Sequence, residues 1–204
     1  MHPEILNKEQ SELLTFIKKF NKSFYLVGGT AIALHLGHRS SIDFDLFTSG
    51  LLKKGPVRKK IAEVPGTIVK LFEDADQLHY IINGVKTTFF SFPYQVVHNE
   101  KLDNIITLPS LLDLAAMKAF ALGRPAKWKD YVDLFFIIKY HYSINDISRQ
   151  ASVIFTHDFN QKLFREQLTF HKDIDYSEEV EYFVTIPGNS EIKAFLIEKA
   201  IDIF

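Results

Sequence analysis

The front of the chain alternates between helical and extended hydrophobic patterns. Apolar residues recur every three or four positions over residues 7–20, which predicts an amphipathic helix. The apolar run 24–27 is typical of a short buried strand, and residues 30–36 are strong helix formers that stop at Gly37. Residues 41–47 then alternate between polar and apolar side chains, which predicts a strand.

Three further strands are predicted in the middle of the chain, over residues 67–72, 78–82 and 85–92. Asn83 and Gly84 separate the last two of these runs. An Asn-Gly pair between alternating segments is the strongest short signal for a hairpin. We therefore expect these two strands to pair antiparallel.

The pattern becomes helical in the second half of the chain. Helices are predicted over residues 110–122, 128–140, 145–155, 160–171 and 190–204. The sequence thus predicts an α+β fold, with the strands in the front half and a C-terminal helical region. We expect a core at residues 1–107, and a helical domain at 108–204 that packs on the core and completes its active site.

Composition excludes several classes of protein. The chain has 204 residues, 47% of them hydrophobic, a net charge of -1 and no cysteine. This composition argues against disorder, disulfides, thiolate metal sites and a uniformly basic nucleic-acid coat. No uncharged run approaches the length of about 20 residues that a membrane-spanning helix needs. We expect a cytoplasmic protein without a membrane partner.

Two aspartates in the strand at residues 41–47 are the first candidates for chemistry. Side chains two apart in a strand share a face, so Asp43 and Asp45 point the same way with Cα atoms about 6.6 Å apart. Mg²⁺ prefers one or two carboxylates together with substrate phosphates, and Mn²⁺ could take its place. The opposite face, with Ile42, Phe44 and Leu46, is expected to pack on the core.

A glycine-rich turn precedes the two aspartates. Gly28 and Gly29 stand between a strand and a helix, where backbone N–H groups can approach a phosphate, and Thr30 could add a hydroxyl donor. On its own, the glycine pair could be an ordinary turn, and the aspartate pair could belong to a solvated strand face. Their combination indicates a site for a metal-bound nucleoside triphosphate.

Charged residues also fall on helical positions that should be buried. Lys118 occupies the apolar stripe of the helix at 110–122, and Asp133 lies in the nearly all-apolar helix at 128–140. A buried lysine needs a partner or a polar cleft. A triphosphate and an internal ion pair are both open for Lys118. Asp133 would pair with Lys118, Lys129 or a metal.

These motifs resemble a known family. Gly28 to Arg39 followed by Ser41 to Phe47 looks like the AbiEii/AbiGii-type toxin nucleotidyltransferases, within the DNA polymerase beta-like nucleotidyltransferase superfamily. The resemblance implies a nucleotidyltransferase fold with a mixed twisted sheet flanked by helices. It also implies Mg²⁺ and transfer of a nucleotide from a nucleoside triphosphate with release of pyrophosphate. Relatives act as the toxin of a two-gene toxin–antitoxin pair, and some add nucleotides to the acceptor end of tRNA.

A second block extends the resemblance. Residues 113–118, Arg124 and residues 129–134 are similar to the family's second motif, which implies that Lys118 contacts the triphosphate and that Asp133 is an active-site acid. One departure stands out, because polymerase beta-like enzymes usually carry a third carboxylate on a later strand. The run 85–90 has no acid, and its Thr88 could bind water or metal only weakly.

Two more features lie beside the proposed site. Arg39 could pair with Asp43 or contact phosphate, whereas His35 is expected to be a packed, hydrogen-bonded histidine. A basic cluster could steer a polyanion such as tRNA or simply be a solvated face. It comprises Lys53, Lys54, Arg58, Lys59 and Lys60.

The sequence therefore favours a metal-dependent nucleotidyltransferase, with tRNA as the favoured acceptor and an antitoxin as a possible partner. Asp43, Asp45, Lys118 and Asp133 would carry catalysis, and Gly28, Gly29, Thr30, Arg39 and Lys118 would hold the nucleotide. The alternatives are a catalytically weak binding protein of the same fold and an enzyme that modifies a small molecule or a protein.

Overall fold

The computed structural model describes residues 1–202, which form two compact units, Met1–Ser110 and a second unit from Leu111 onward. The last two positions of the helix predicted over 190–204 lie outside the described residues. The first unit contains a sheet with helices, and the second unit is helical.

A five-stranded mixed sheet organises the first unit. Its strand order is β1-β2-β5-β4-β3, in which β2 and β5 run parallel and the other neighbouring strands pair antiparallel. The predicted hairpin at Asn83 and Gly84 joins β4 to β5. The strands are β1 (Tyr25–Val27), β2 (Asp43–Thr48), β3 (Ile68–Glu73), β4 (Gln77–Ile82) and β5 (Val85–Ser91).

Three α-helices accompany this sheet, at Lys8–Ile17 (α1), Gly28–Leu36 (α2) and Lys54–Ala62 (α3). Asn7 caps α1, because its side chain accepts a hydrogen bond from the backbone N–H of Gln10 while the Gln10 side chain bonds back. Helix α2 ends at Gly37, whose left-handed φ of 64° suits a glycine. The predicted α+β architecture, with a mixed sheet and flanking helices, is confirmed.

The two faces of β2 differ in burial. Phe44 and Leu46 are completely buried, while Asp43 and Asp45 on the other face are half-buried. Ile42 was expected to join the buried face, and this expectation is wrong because its side chain is 62% exposed. The strand begins only at Asp43, so the alternation does not extend back to residue 42.

A small hairpin was not predicted from the sequence. Strands β6 (Glu100–Leu102) and β7 (Ile106–Leu108) form a separate two-stranded sheet. Each strand has three residues, which is too short for a recognisable alternation.

The second unit contains five α-helices among the described residues. The α5 helix is buried along most of its length, as its apolar sequence predicts. No described helix is both long and apolar enough to cross a membrane. The helices are α4 (Leu111–Ala121), α5 (Trp128–Tyr140), α6 (Ile144–Phe155), α7 (Gln161–Thr169) and α8 (Asn189–Ile201).

Candidate active site

The two candidate metal ligands lie on an inner strand of the sheet. Asp45 is opposite Val27 of β1 on one side and Thr88 of β5 on the other. Asp43 is opposite Lys86 of β5. Directly opposed residues share a face of the sheet, so the two carboxylates face the same side as Lys86 and Thr88.

The Asp45 carboxylate lies against the start of helix α2. Gly28 has a φ of 74°, and a Cβ added there would overlap the Asp45 carboxylate. Helix α2 begins at Gly28, two residues earlier than predicted, so Gly28 and Gly29 form its first turn. The first N–H groups of a helix have no partner within it, and they carry the positive end of the helix dipole. The turn therefore offers anion-binding groups beside a carboxylate that can hold a cation.

Asp43 is the less engaged of the two aspartates. Within residues 1–202 its carboxylate makes no hydrogen bond or ion pair, and only its backbone carbonyl is used, as acceptor for the Thr30 hydroxyl. The proposed pairing of Arg39 with Asp43 is therefore not formed. A half-buried carboxylate without a protein partner keeps its full capacity to coordinate a cation.

Arg39, Thr30 and Ser41 hold the segment between α2 and β2. The Arg39 side chain is 2% exposed and donates from Nη1 to the carbonyl of Ser40 over 2.8 Å. A Cβ on Gly29 would lie 2.8 Å from Nη2 of Arg39, so only glycine fits there without displacing the guanidinium. The Thr30 and Ser41 hydroxyls lie 2.9 Å apart, and Thr30 is 1% exposed. In this arrangement these side chains position Asp43 and Asp45. The contacts of Arg39 and Thr30 with phosphate stay predictions.

Two residues of the same face were missed from the sequence. Lys86 is half-buried and makes no ion pair or hydrogen bond within the described part of the chain. His79 lies opposite Thr88, and burial together with the Lys86 ammonium lowers its pKa. Alternation in β5 shows that Lys86 and Thr88 share a face, but only the parallel pairing of β2 with β5 places them beside the aspartates.

The third carboxylate is missing from this face, as expected from the sequence. The positions on β5 beside the aspartates are Lys86 and Thr88. The described residues contain no group of three histidine, cysteine or acidic side chains that could hold a metal. Two carboxylates nevertheless fit a Mg²⁺ ion that takes its remaining ligands from substrate phosphates and water.

Comparison with known proteins identifies the family. Residues 15–103 match the model of the AbiEii toxins, described as nucleotidyl transferases of type IV toxin–antitoxin systems. An uncharacterized protein of Aquifex aeolicus is 32% identical over 142 residues, which are 67% of this chain and 68% of the relative. The chain belongs to the AbiEii nucleotidyltransferase family.

Solved structures agree with this assignment at the level of the fold. MenT4, a nucleotidyltransferase toxin of Mycobacterium tuberculosis, is similar with a TM-score of 0.62 and 15% identity, over 94% of this chain and 80% of its own. JHP933 of Helicobacter pylori is similar with a TM-score of 0.52 and 12% identity, over 96% and 91% of the two chains. The resemblance inferred from the motifs is thus confirmed.

In this AbiEii family member, the charged residues that the sequence places on buried helix positions of the second unit form ion pairs within the protein. Lys118 Nζ lies 2.5 Å from Asp130 Oδ1 and 3.1 Å from Asp133 Oδ2. The Lys118 side chain is 11% exposed and that of Asp133 is completely buried. The internal ion pair is therefore present, and Asp130 belongs to it as well. Contact of Lys118 with a triphosphate, and a catalytic role for Asp133, stay predictions.

The remaining sequence candidates have mostly structural contacts. His35 Nε2 lies 3.0 Å from the Pro109 carbonyl, which confirms the expected hydrogen bond. Lys54 and Arg58 pair with Glu73. Lys60 donates to the carbonyl of Lys19. Much of the basic cluster is therefore engaged within the protein.

Proposed function

We propose that the protein transfers a nucleotide from a nucleoside triphosphate to an acceptor hydroxyl and releases pyrophosphate. Asp43 and Asp45 would hold Mg²⁺ or Mn²⁺. The Asp43 carboxylate carries this proposal, because it is half-buried beside Asp45 and no described residue pairs with it. Keeping a carboxylate half-buried and unpaired costs stability, and a bound cation would offset that cost.

The surroundings of the pair suit a triphosphate. The first turn of α2, with Gly28 and Gly29, would accept phosphate oxygens on its N–H groups. Lys86 would place an ammonium on the same face as Asp43, where it would balance phosphate charge. A bound divalent ion would neutralise the triphosphate and lower the pKa of the acceptor hydroxyl. The residues themselves would align the reacting groups, which is the main contribution of proteins to such transfers.

The proposed acceptor and protein partner rest on family membership and on exposed positive charge. We propose the acceptor end of tRNA as the favoured acceptor and a cognate antitoxin as the protein partner. Lys53 and Lys59 support a polyanionic acceptor, because neither has a partner among the described residues and both are exposed. Exposed, unpaired lysines are available to contact phosphates.

Incorporation of label tests the proposal directly. Purified protein is incubated with Mg²⁺, total tRNA and each of four radiolabelled nucleoside triphosphates, beside the Asp45→Asn variant. We expect label in tRNA from one or more triphosphates, and none with the variant. Equal labelling by the variant would contradict the proposed role of the carboxylates.

A second candidate function is binding without turnover. The observation that favours it is the β5 side of the site, where Lys86 and Thr88 stand in place of a carboxylate. Calorimetry that shows tight nucleotide binding, together with no product from tRNA, protein or small-molecule acceptors, would favour this second function over transfer.

A further inference from the structure

A cavity of about 640 Å³ lies at the far end of β2, beyond the two aspartates. Its wall includes Thr48, Ser49 and Gly50, which follow Asp45 along the chain, and it contains neither the two aspartates nor any residue of the glycine turn or of β5. Thr48 is three residues beyond Asp45, roughly 10 Å along a strand. The volume falls within the range of about 300–1,000 Å³ that is common for small-ligand sites.

All the charged side chains that line the cavity are lysines. Lys22, Lys53 and Lys60 line it, and no aspartate or glutamate is among its described lining residues. Lys22 and Lys53 are exposed and have no hydrogen bond or ion pair within residues 1–202, whereas Lys60 is held by a backbone carbonyl and lies over the Phe20 ring. Two ammonium groups at the rim are thus available to an anion.

The inner wall is aromatic and contains a buried tyrosine hydroxyl. Phe20, Phe24, Tyr25 and His98 line the cavity, and the Tyr25 and His98 rings are stacked with centroids 4.4 Å apart. Tyr25 is 2% exposed, and no described group meets hydrogen-bond geometry with its buried hydroxyl. Burial raises the pKa of Tyr25 to about 12, so the hydroxyl keeps its proton at neutral pH. The Ser49 side chain, also in the cavity wall, interacts with this hydroxyl, and a ligand acceptor within the cavity would complete its hydrogen bonding.

We infer that this cavity binds a nucleotide unit, with its phosphate at Lys22 and Lys53 and its base among the aromatic rings near the Tyr25 hydroxyl. Aromatic rings with lysines are the usual means of holding single-stranded nucleic acid. The unit could come from a free mononucleotide or from the acceptor strand. The acceptor-strand source rests on the proposed transfer to a polynucleotide hydroxyl.

Binding is measured on the full chain by fluorescence anisotropy, with a labelled single-stranded triribonucleotide and without Mg²⁺ or triphosphate. Lys22→Ala/Lys53→Ala should weaken binding about tenfold and flatten the slope of log affinity against log salt by about 1.4, since each phosphate contact on a single strand contributes about 0.7. The matched control is Lys8→Ala/Lys18→Ala, which removes two exposed lysines outside the cavity lining. Equal weakening by both pairs would overturn the inference.

Tyr25→Phe supplies an independent test that separates binding from folding. The hydroxyl interacts with the Ser49 side chain, but no group meets normal hydrogen-bond geometry with it, so its removal should leave the thermal unfolding midpoint nearly unchanged while weakening strand binding several-fold. Unchanged binding by Tyr25→Phe would overturn the assigned role of the hydroxyl.

Competition distinguishes the two sources of the nucleotide. Displacement of the labelled strand by AMP or GMP as efficiently as by unlabelled triribonucleotide would assign a mononucleotide site, and displacement by the strand alone would assign the acceptor. Asp43→Asn should bind the triribonucleotide like the wild type. Failure of nucleotide transfer would therefore leave the cavity result standing, and the two failures are distinguishable.

Discussion

Two groups of carboxylates in this molecule differ in how their charges are satisfied. On β2, Asp43 has no side-chain partner among the described residues although it is half-buried. On α5, Asp130 and Asp133 are both within 3.1 Å of the Lys118 ammonium. The sequence makes Asp43 and Asp133 candidates for catalysis, and the structure separates them.

The difference shows how an unsatisfied charge indicates function. A buried ion pair that is complete within the protein accounts for its own presence, because each charge offsets the desolvation of the other. A half-buried carboxylate without a partner lowers the stability of the folded state, and a bound ligand can offset that loss. The pair Asp43 and Asp45 is therefore the stronger candidate for metal binding. The pair Lys118 and Asp133 has a structural role, whether or not it also takes part in catalysis.

The comparison predicts its largest effect on activity at β2. Asp43→Asn and Asp45→Asn should each lower the rate of nucleotide transfer by about 10²–10³-fold or more, because a carboxylate that positions a metal acts mainly in the transition state. The rate of label incorporation under saturating triphosphate measures this effect. Asp76→Asn, at an exposed turn position, is the control and should keep full activity.

Asp43→Asn should not destabilise the fold. It removes no side-chain contact that the described residues provide, so the free energy of unfolding should fall by less than about 0.5 kcal/mol. A large loss of stability in Asp43→Asn would mean that its carboxylate has a structural partner, and the comparison would fail.

The second prediction concerns stability in the helical unit. Lys118→Met leaves the completely buried Asp133 without the ammonium 3.1 Å away, which should lower the free energy of unfolding by about 3–5 kcal/mol. Urea unfolding followed by circular dichroism measures the loss. The double variant Lys118→Met/Asp133→Leu should recover part of it, since no unpaired carboxylate remains at position 133. A loss below about 1 kcal/mol in the single variant would argue against a structural ion pair.

A third variant sharpens the contact between Asp45 and the glycine turn. Gly28→Ala puts a side chain at a φ of 74° and forces the Asp45 carboxylate to move. We expect a stability loss of about 1–2 kcal/mol and a fall in transfer rate of about tenfold or more. Gly55→Ala is the control, because a Cβ there meets no atom within 4 Å. Full activity in Gly28→Ala would show that the position of Asp45 is not critical.

The smallest expected effect is a pH dependence in the helical unit. Partial burial alone would raise the pKa of Glu178, but hydrogen bonds and charge from Lys127 and Lys129 outweigh burial and lower it from 4.5 to about 2. The folded state thus favours the ionised form. The interactions of ionised Glu178 with the two lysines therefore stabilise the fold fully above pH 4.5, and this stabilisation is lost as the pH falls towards 2.

Glu178→Gln should therefore lose less stability than the wild type between pH 4.5 and about 2. Denaturant midpoints across this range provide the measurement, with Glu181→Gln, at another exposed acid, as control. Parallel pH profiles for the wild type and Glu178→Gln would contradict the assigned ion pairs.

Much of the local structure follows from the sequence pattern. The α5 helix has the predicted bounds, and the hairpin at Asn83 and Gly84 forms where the turn chemistry requires it. The strand bearing Asp43 and Asp45 also follows from alternation. The β6–β7 hairpin does not, since three-residue strands have too few positions to show a period.

The candidate site is predictable only in part. The aspartates and glycines belong to one local motif, so their order along the chain reveals them. Lys86 and His79 join the site through strand pairing, which depends on tertiary contacts that no local pattern specifies. The partner of Lys118 was left open for the same reason, because periodicity shows burial but not which charge lies across a helix interface.

Metal binding in the presence of nucleotide tests the central claim most directly. Mn²⁺ is titrated into the protein with a non-hydrolysable triphosphate, and bound ion is counted by electron paramagnetic resonance. The account predicts saturable binding by the wild type and none in the same concentration range by Asp43→Asn/Asp45→Asn, with circular dichroism showing that the double variant is folded. Equal Mn²⁺ binding by the folded double variant would contradict the assignment of the two aspartates as metal ligands.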